Sequence, residues 1–256
     1  MIHATAVIDP TAEIDSDVSV GPYTVVGAEV QIGSGTKIGP HVVIKGPSKI
    51  GRDNNIYQFA SIGEDPQDKK YAQEVTLLEI GDRNVIREYC TIHRGTIQDK
   101  AKTTVGSDNL FMAYTHVAHD CVIGDQIVMA NGASLAGHVS LDDFAILGGF
   151  TLVHQFTRIG CHSFSAMGSS LSRDIPPYVM VGGQPTKPYG INSVGLERKG
   201  FSSDCVREIR KAYKTLYKAG LKLEEATDML SHMATDTPEI QCMVDFIRNS
   251  SRGILR

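Results

Sequence analysis

An aliphatic residue stands at every sixth position from Ile2 to Ile62, through Ile8, Ile14, Val20, Val26, Ile32, Ile38, Ile44, Ile50 and Ile56. The phase returns at Ile80, Ile86 and Ile92. It then resumes one residue out of step at Val105, Phe111, Val117, Ile123, Met129, Leu135, Leu141, Leu147, Val153, Ile159 and Leu171, with Ser165 the one polar member. A period of six matches neither the 3.6 of a helix nor the plain alternation of a two-faced sheet. It does match short flat strands joined by tight corners, in which stacked coils bury one aliphatic column. Glycine often follows the aliphatic residue, as at Gly21, Gly33, Gly81 and Gly124, where it is expected to ease the backbone. Four places after the aliphatic sits something small or β-branched, such as Ala12, Thr24, Ala60 or Thr151, suited to a cramped inner corner.

This pattern resembles the hexapeptide-repeat, left-handed parallel β-helix family, in which three hexads make one triangular coil. The resemblance spans roughly residues 1–181 and supplies the handedness, since ordinary parallel crossovers are right-handed. The expected class is mainly β: a left-handed parallel β-helix over 1–190, followed by a C-terminal α-helical domain over 191–256. Two polar interruptions, near 63–79 and 95–104, are expected to protrude as loops from coil corners, where function often resides. The Pro- and Gly-rich run 174–190 reads as a linker. From Ser202 the period becomes helical. Val206, Ile209, Tyr213, Leu216 and Tyr217 form a stripe, with Ser202 or Ser203 as N-cap and Gly220 as the stop. A second helix is expected over Leu223 to Met233, and a third from Thr237-Pro238 through Val244 and Ile247.

The 256 residues carry 41% hydrophobic and 21% charged residues, which excludes a disordered or collagen-like chain. No apolar run is long enough for a membrane helix, and MIHATAVIDP lacks the regions of a signal peptide, so a cytoplasmic location is expected. Cys90, Cys121, Cys161, Cys205 and Cys242 show neither CxxC nor zinc-ligand spacing and read as reduced, mostly buried thiols. The net charge of −4 argues against general nucleic-acid binding.

Because the inward positions are assigned, His119, His138 and His154 fall on the outer faces of the prism. Two chemistries remain open for them. His116 and His119 can join a third histidine on zinc, as in the carbonic anhydrases that share this fold, although open-site zinc needs three converging ligands. Alternatively, neutral imidazole near pH 7 can accept a hydroxyl proton, and Asp120 directly follows His119. Strand neighbours point apart, so contact between those two requires a corner or a subunit boundary.

The segments IYQFASIGE (56–64), QDKKY (67–71), TIHRGT (91–96), HVAHDC (116–121), LAGHV (135–139), VHQF (153–156), DIPPYV (174–179) and RKGF (198–201) narrow the resemblance further. Together they resemble the UDP-N-acetylglucosamine 3-O-acyltransferases of lipid A synthesis, over the whole chain. The resemblance implies transfer of a 3-hydroxyacyl group from acyl carrier protein to the 3-hydroxyl of UDP-N-acetylglucosamine. No resident cofactor or metal is expected, because the acyl-phosphopantetheine arrives on the carrier. At matching positions, His119 would be the general base, Asp120 its support, and the Gly137 N–H a donor to the thioester oxyanion. Asp68, Lys70, His116, His138, His154 and Gln155 would line the site. Asn192, Arg198 and Lys199 would help bind nucleotide or carrier.

The family commonly has an acidic residue where this chain has Val194, and a second arginine where it has Lys199. The first change removes an acceptor for the nucleotide, and the second alters phosphate geometry. Met167 occupies the place where long-chain members have glycine, which implies a shorter donor of about ten to twelve carbons. Residues 198–222 hold eight cations against Asp204 and Glu208, a net +6. Arg207, Arg210, Lys211 and Lys214 are therefore expected to dock the acidic carrier protein. The family also implies a homotrimer with sites between subunits. The competing readings are the later lipid A N-acyltransferase, which carries a further domain before its repeats whereas here the hexads start at Ile2, a zinc hydratase, and a scaffold without chemistry.

Overall fold

Each hexad contributes a strand that ends on its aliphatic residue, as in Val7–Ile8, Glu13–Ile14 and Ser19–Val20. The computed structural model describes residues 1–256, the side chain of Asp236 excepted. Successive strands pass through three sheets in turn and make a left-handed, three-sided β-helix. The first sheet has nine strands, from Val7–Ile8 to Ser170–Leu171. The second has eight, from Glu13–Ile14 to Arg158–Ile159. The third has ten, beginning at Ser19–Val20. All pairs between coils are parallel, so Ile8 lies under Val26 and Val26 under Ile44. The aliphatic column is buried from Val20 to Leu171, and each full burial contributes about 1.5–3 kcal/mol. Ser165, the polar exception, is buried and satisfied by Thr151 Oγ1 at 2.8 Å and the Gly148 N–H at 3.2 Å.

Apart from Gly63, which takes a φ of 75° after Ile62, the glycines after the aliphatic residues do not serve the purpose expected of them. The corner residue with positive φ comes two places later and is usually not glycine, as at Tyr23, His41, Phe59, Asp120 and His138. Gly21 and Gly81 are needed because coils approach closely: a Cβ there would stand 2.7 Å from backbone atoms of the neighbouring coil.

Both interruptions leave the corner between the first and second sheets. Strands extend to Glu64 and restart at Leu77, so the first loop is 65–76; the second spans 94–101 between strands Thr91–His93 and Lys102–Val105. The second loop does not simply protrude, since Arg94 and Thr96 are buried. The Arg94 guanidinium donates to the Gly63 carbonyl, the Asp65 carboxylate and the Tyr71 hydroxyl, and so ties the two loops together. Hydrogen-bonded coils are 18 residues apart through most of the column and 16 in its last turn, but 30 across the first loop and 25 across the second. The first insertion preserves the hexad phase and the second shifts it by one.

Residues 174–190 are not a linker. Asp174 to Val179 are buried, Val179–Gly182 adds to the third sheet, and Lys187–Ile191 pairs antiparallel with it to close the end of the column. Four helices follow: α1 (Ser193–Arg198), which sequence periodicity missed because it is six residues long, α2 (Ser203–Lys218), α3 (Leu223–Met233) and α4 (Pro238–Arg248). The Ser202 side chain caps α2, and Gly220 takes a positive φ after it. Thr237 holds the N-cap place of α4 without a side-chain cap bond. The stripe Val206, Ile209, Tyr213 and Leu216 is buried in the same apolar cluster as the column's end. The thiols are less buried than expected: Cys90 and Cys121 are buried, Cys161 and Cys205 half-buried, and Cys242 exposed on α4. Among the described residues, no helix is long and apolar enough to cross a membrane.

Candidate active site

The corner that releases both loops carries His119 and Asp120 two residues beyond the strand His116–Val117. Asp120 has φ 59°, and this turn brings together two side chains that a strand would hold apart: His119 Nδ1 lies 2.9 Å from Asp120 Oδ2. The Asp120 side chain is fully buried. It accepts the Thr96 N–H at 2.9 and 3.1 Å and the Thr96 hydroxyl at 2.6 Å, while its own N–H donates to Thr103 Oγ1 at 2.9 Å. Burial pushes the carboxyl up, but hydrogen bonds from His119 and Thr96, with His138 nearby, outweigh it and hold it below the usual carboxylate range. An ionised Asp120 requires the proton on His119 Nδ1, which leaves Nε2 as the acceptor.

His138 stands one coil along, its N–H donating to the His119 carbonyl. Its Nδ1 is 2.9 Å from Asp99 Oδ2 and its Nε2 is 3.9 Å from Asp120 Oδ2. The ring meets His119 edge-on at 5.1 Å and stacks on Phe156 at 4.4 Å. Gly137 packs directly against His119: a Cβ there would stand 2.7 Å from His119 Nε2. Its amide N–H has no acceptor among the described hydrogen bonds, so a donor is free beside the proton-accepting nitrogen.

His116 shares a 2.7 Å hydrogen bond with Thr91 Oγ1 and meets His93 edge-on at 5.1 Å. Burial, with His93 and His119 beside it, pushes its pKa down to about 4, so it is neutral at neutral pH. The ligand atoms that converge within 4.8 Å belong to His119, Asp120 and His138 rather than to the His116–His119 pair considered for zinc.

A cleft of about 850 Å³ is lined by Asp68, Lys70, Asp99, His119, His138 and Gln155. An adjoining one of about 460 Å³ adds His116 and Gly137. The structure thus gathers most of the expected site on one corner. His154 lines neither cleft; it is exposed, with Nδ1 3.1 Å from the Gln155 carbonyl. Asn192 lies at the other end of the fold's logic: its side chain is spent inside the chain, Nδ2 donating to the His162 carbonyl and Oδ1 capping α1 through the Gly195 N–H. Lys199 donates to Gln126 Oε1 at 2.6 Å and lies 4.6 Å over Phe144, on the corner between the second and third sheets; Arg198 is exposed just before it. Met167 is on the remaining corner, between the third and first sheets, and is 77% exposed. On α2, Arg207 pairs with Asp204 at 2.7 Å and Lys211 with Glu208 at 2.8 Å, whereas Arg210 and Lys214 are exposed without an ion pair among the described residues. Sequence reasoning missed Thr96, Asp99 and His93, whose contacts with the histidines cross coils and leave no local signal.

Residues 174–255 match the family model described as UDP-N-acetylglucosamine O-acyltransferase, domain 2. The acyl-[acyl-carrier-protein]–UDP-N-acetylglucosamine O-acyltransferase of Janthinobacterium sp. (strain Marseille) is 56% identical over 260 residues, covering 100% of this chain and 99% of its own. Among solved structures, the UDP-N-acetylglucosamine acyltransferase of Francisella novicida superposes with a TM-score of 0.98 at 43% identity, over 100% of this chain and 94% of that one. The counterpart from Bacteroides fragilis 9343 does so with a TM-score of 0.98 at 42% identity, over 100% of both.

Proposed function

The chain belongs to the acyl-[acyl-carrier-protein]–UDP-N-acetylglucosamine O-acyltransferase family, and on that premise we propose that the cleft at His119 moves a 3-hydroxyacyl group from acyl carrier protein to the 3-hydroxyl of UDP-N-acetylglucosamine, the first step of lipid A biosynthesis in the cytoplasm. The observation that carries the mechanism is the pairing of His119 Nδ1 with Asp120 while Nε2 faces Gly137. Nε2 takes the proton of the sugar 3-hydroxyl as its oxygen attacks the thioester carbonyl. The carbonyl oxygen becomes an oxyanion held by the Gly137 N–H. On collapse the C–S bond breaks, the leaving phosphopantetheine thiolate takes from His119 the proton that came from the sugar, and the ester remains on the sugar nucleotide.

Asp68, Lys70, His116, His138 and Gln155 hold substrate from the same protomer. Arg198 and Lys199 stand on a different corner and reach the nucleotide or carrier from an adjacent copy; Asn192, its amide bonded within its own chain, holds the start of α1 in place behind them, and His154 stands exposed on the His119 corner beside Gln155. A homotrimer of parallel prisms meets that need. Its support is the third sheet's outer face, where Val85, Leu110, Val128, Ile146 and Phe164 form a half-buried apolar column. The carrier protein docks on α2 through Arg207, Arg210, Lys211 and Lys214.

Met167 closes the far end of the acyl groove. Its exposure within one protomer leaves the thioether free to meet a chain lying between copies. Mass spectrometry of products from a panel of acyl carrier thioesters with UDP-N-acetylglucosamine and its 3-amino analogue tests the reaction and the ruler together. Wild type is expected to form an ester with a donor shorter than fourteen carbons. Met167→Gly is expected to shift preference to longer chains by about tenfold or more, with the sugar-nucleotide KM nearly unchanged. An amide product would reassign the acceptor, and an unchanged length profile would remove Met167 as the ruler.

Reversing charge at Arg207, Arg210 and Lys214 should slow transfer from intact carrier protein by about tenfold at low salt, but spare a short pantetheine thioester, because steering acts on the acidic carrier alone. Equal losses with both donors would show that the helix is not the dock.

A further inference from the structure

We infer that Thr96, on the 94–101 insertion, is a positioning residue for the catalytic base, acting through Asp120; this rests on His119 being that base. Thr96 is fully buried and supplies three contacts to the Asp120 carboxylate, the shortest from its hydroxyl to Oδ2 at 2.6 Å. Oδ2 is also the oxygen that receives His119 Nδ1. The hydroxyl therefore fixes the direction in which the carboxylate presents its acceptor, and through it the tautomer and tilt of the imidazole. The same insertion places Asp99 against His138 Nδ1. A segment that appears in the sequence only as a break in the repeat forms the outer frame of both histidines.

Across the cleft, the 65–76 loop brings Asp68, Lys69 and Lys70 to this arrangement. Asp120 faces His119 and His138, and His138 faces Asp99. His93 and His116 act on the site from the first-sheet side of the same coils. The adjacent Cys121 thiol is pushed up to about 12 by burial, so it stays neutral through the working range. With the hydroxyl removed, Oδ2 keeps only the longer 3.1 Å contact from the Thr96 N–H, and the carboxylate is free to turn away from His119 Nδ1.

Thr96→Val keeps the shape and removes the hydroxyl. It is expected to lower kcat by about 10- to 100-fold, by analogy with the loss when the carboxylate or hydroxyl partners of metal-ligating histidines are removed. The KM for UDP-N-acetylglucosamine should change little, so that the loss falls on kcat. Thr96→Ser, which retains the hydroxyl, should keep kcat within a few-fold of wild type. Thermal unfolding of both variants, and of Thr96→Ala should the valine variant fail to fold, separates positioning from stability. A serine variant as impaired as the valine, or a valine variant with wild-type kcat, overturns the role. His119→Ala run alongside keeps the two failures apart: an active His119→Ala removes the base itself, whereas an inactive one with an unaffected Thr96→Val removes only the positioning role.

Discussion

Replacing His119 with alanine should lower acyl transfer by about 10²–10⁴ and leave the fold intact, since a positioned base contributes that much. The ring stands outside the aliphatic column, so its loss opens no cavity in the core. It takes no part in the strand pairing that holds the coils together. Steady-state transfer rates beside circular dichroism check both halves of the expectation. Activity within a few-fold of wild type in a folded variant would remove His119 as the base. Wild-type activity that disappears with a chelator would point instead to a metal held by His119, Asp120 and His138.

Gly137→Ala is the second large effect. Gly137 lies outside the left-handed region, so alanine brings no backbone strain. The added methyl would stand 2.7 Å from His119 Nε2 and 3.0 Å from Nδ1, well inside contact distance. Because the obstructing atoms belong to a side chain, the ring moves and the protein still folds. That movement breaks the 2.9 Å contact with Asp120 and places carbon where the thioester oxygen must approach. A displacement of this size costs about 10²-fold in rate. The loss should fall on kcat, with the melting temperature within a few degrees of wild type. A variant with full kcat would show that the base has room to spare and that the Gly137 amide is not the oxyanion donor.

The two variants probe one corner from opposite sides, and the corner also shows where sequence reasoning stops. HVAHDC marks His119 and Asp120 as neighbours, but neighbours in a strand diverge. Only the left-handed φ of Asp120 turns the pair into a dyad. Asn192 shows the reverse case: a polar residue expected at the nucleotide turns out to have both ends of its amide bonded within its own chain. The Pro- and Gly-rich run at 174–190 likewise carries linker composition, yet its residues are held in place by pairing with the last coil.

By itself the sequence determined the repeat, the buried column and the helical tail, while the three-sided coil and its hand came from the family resemblance. The first three rest on a period written along the chain, and a period survives without knowledge of what lies across from it. The tertiary structure decided that one corner gathers His119, Asp120 and His138, that Thr96 bonds Asp120 and Asp99 meets His138 there, and that Met167, Lys199 and His119 occupy three different corners. Those contacts join residues 18 or more positions apart and depend on coil stacking and on loop length, where a one-residue slip reassigns every neighbour. No local propensity encodes a contact of that kind.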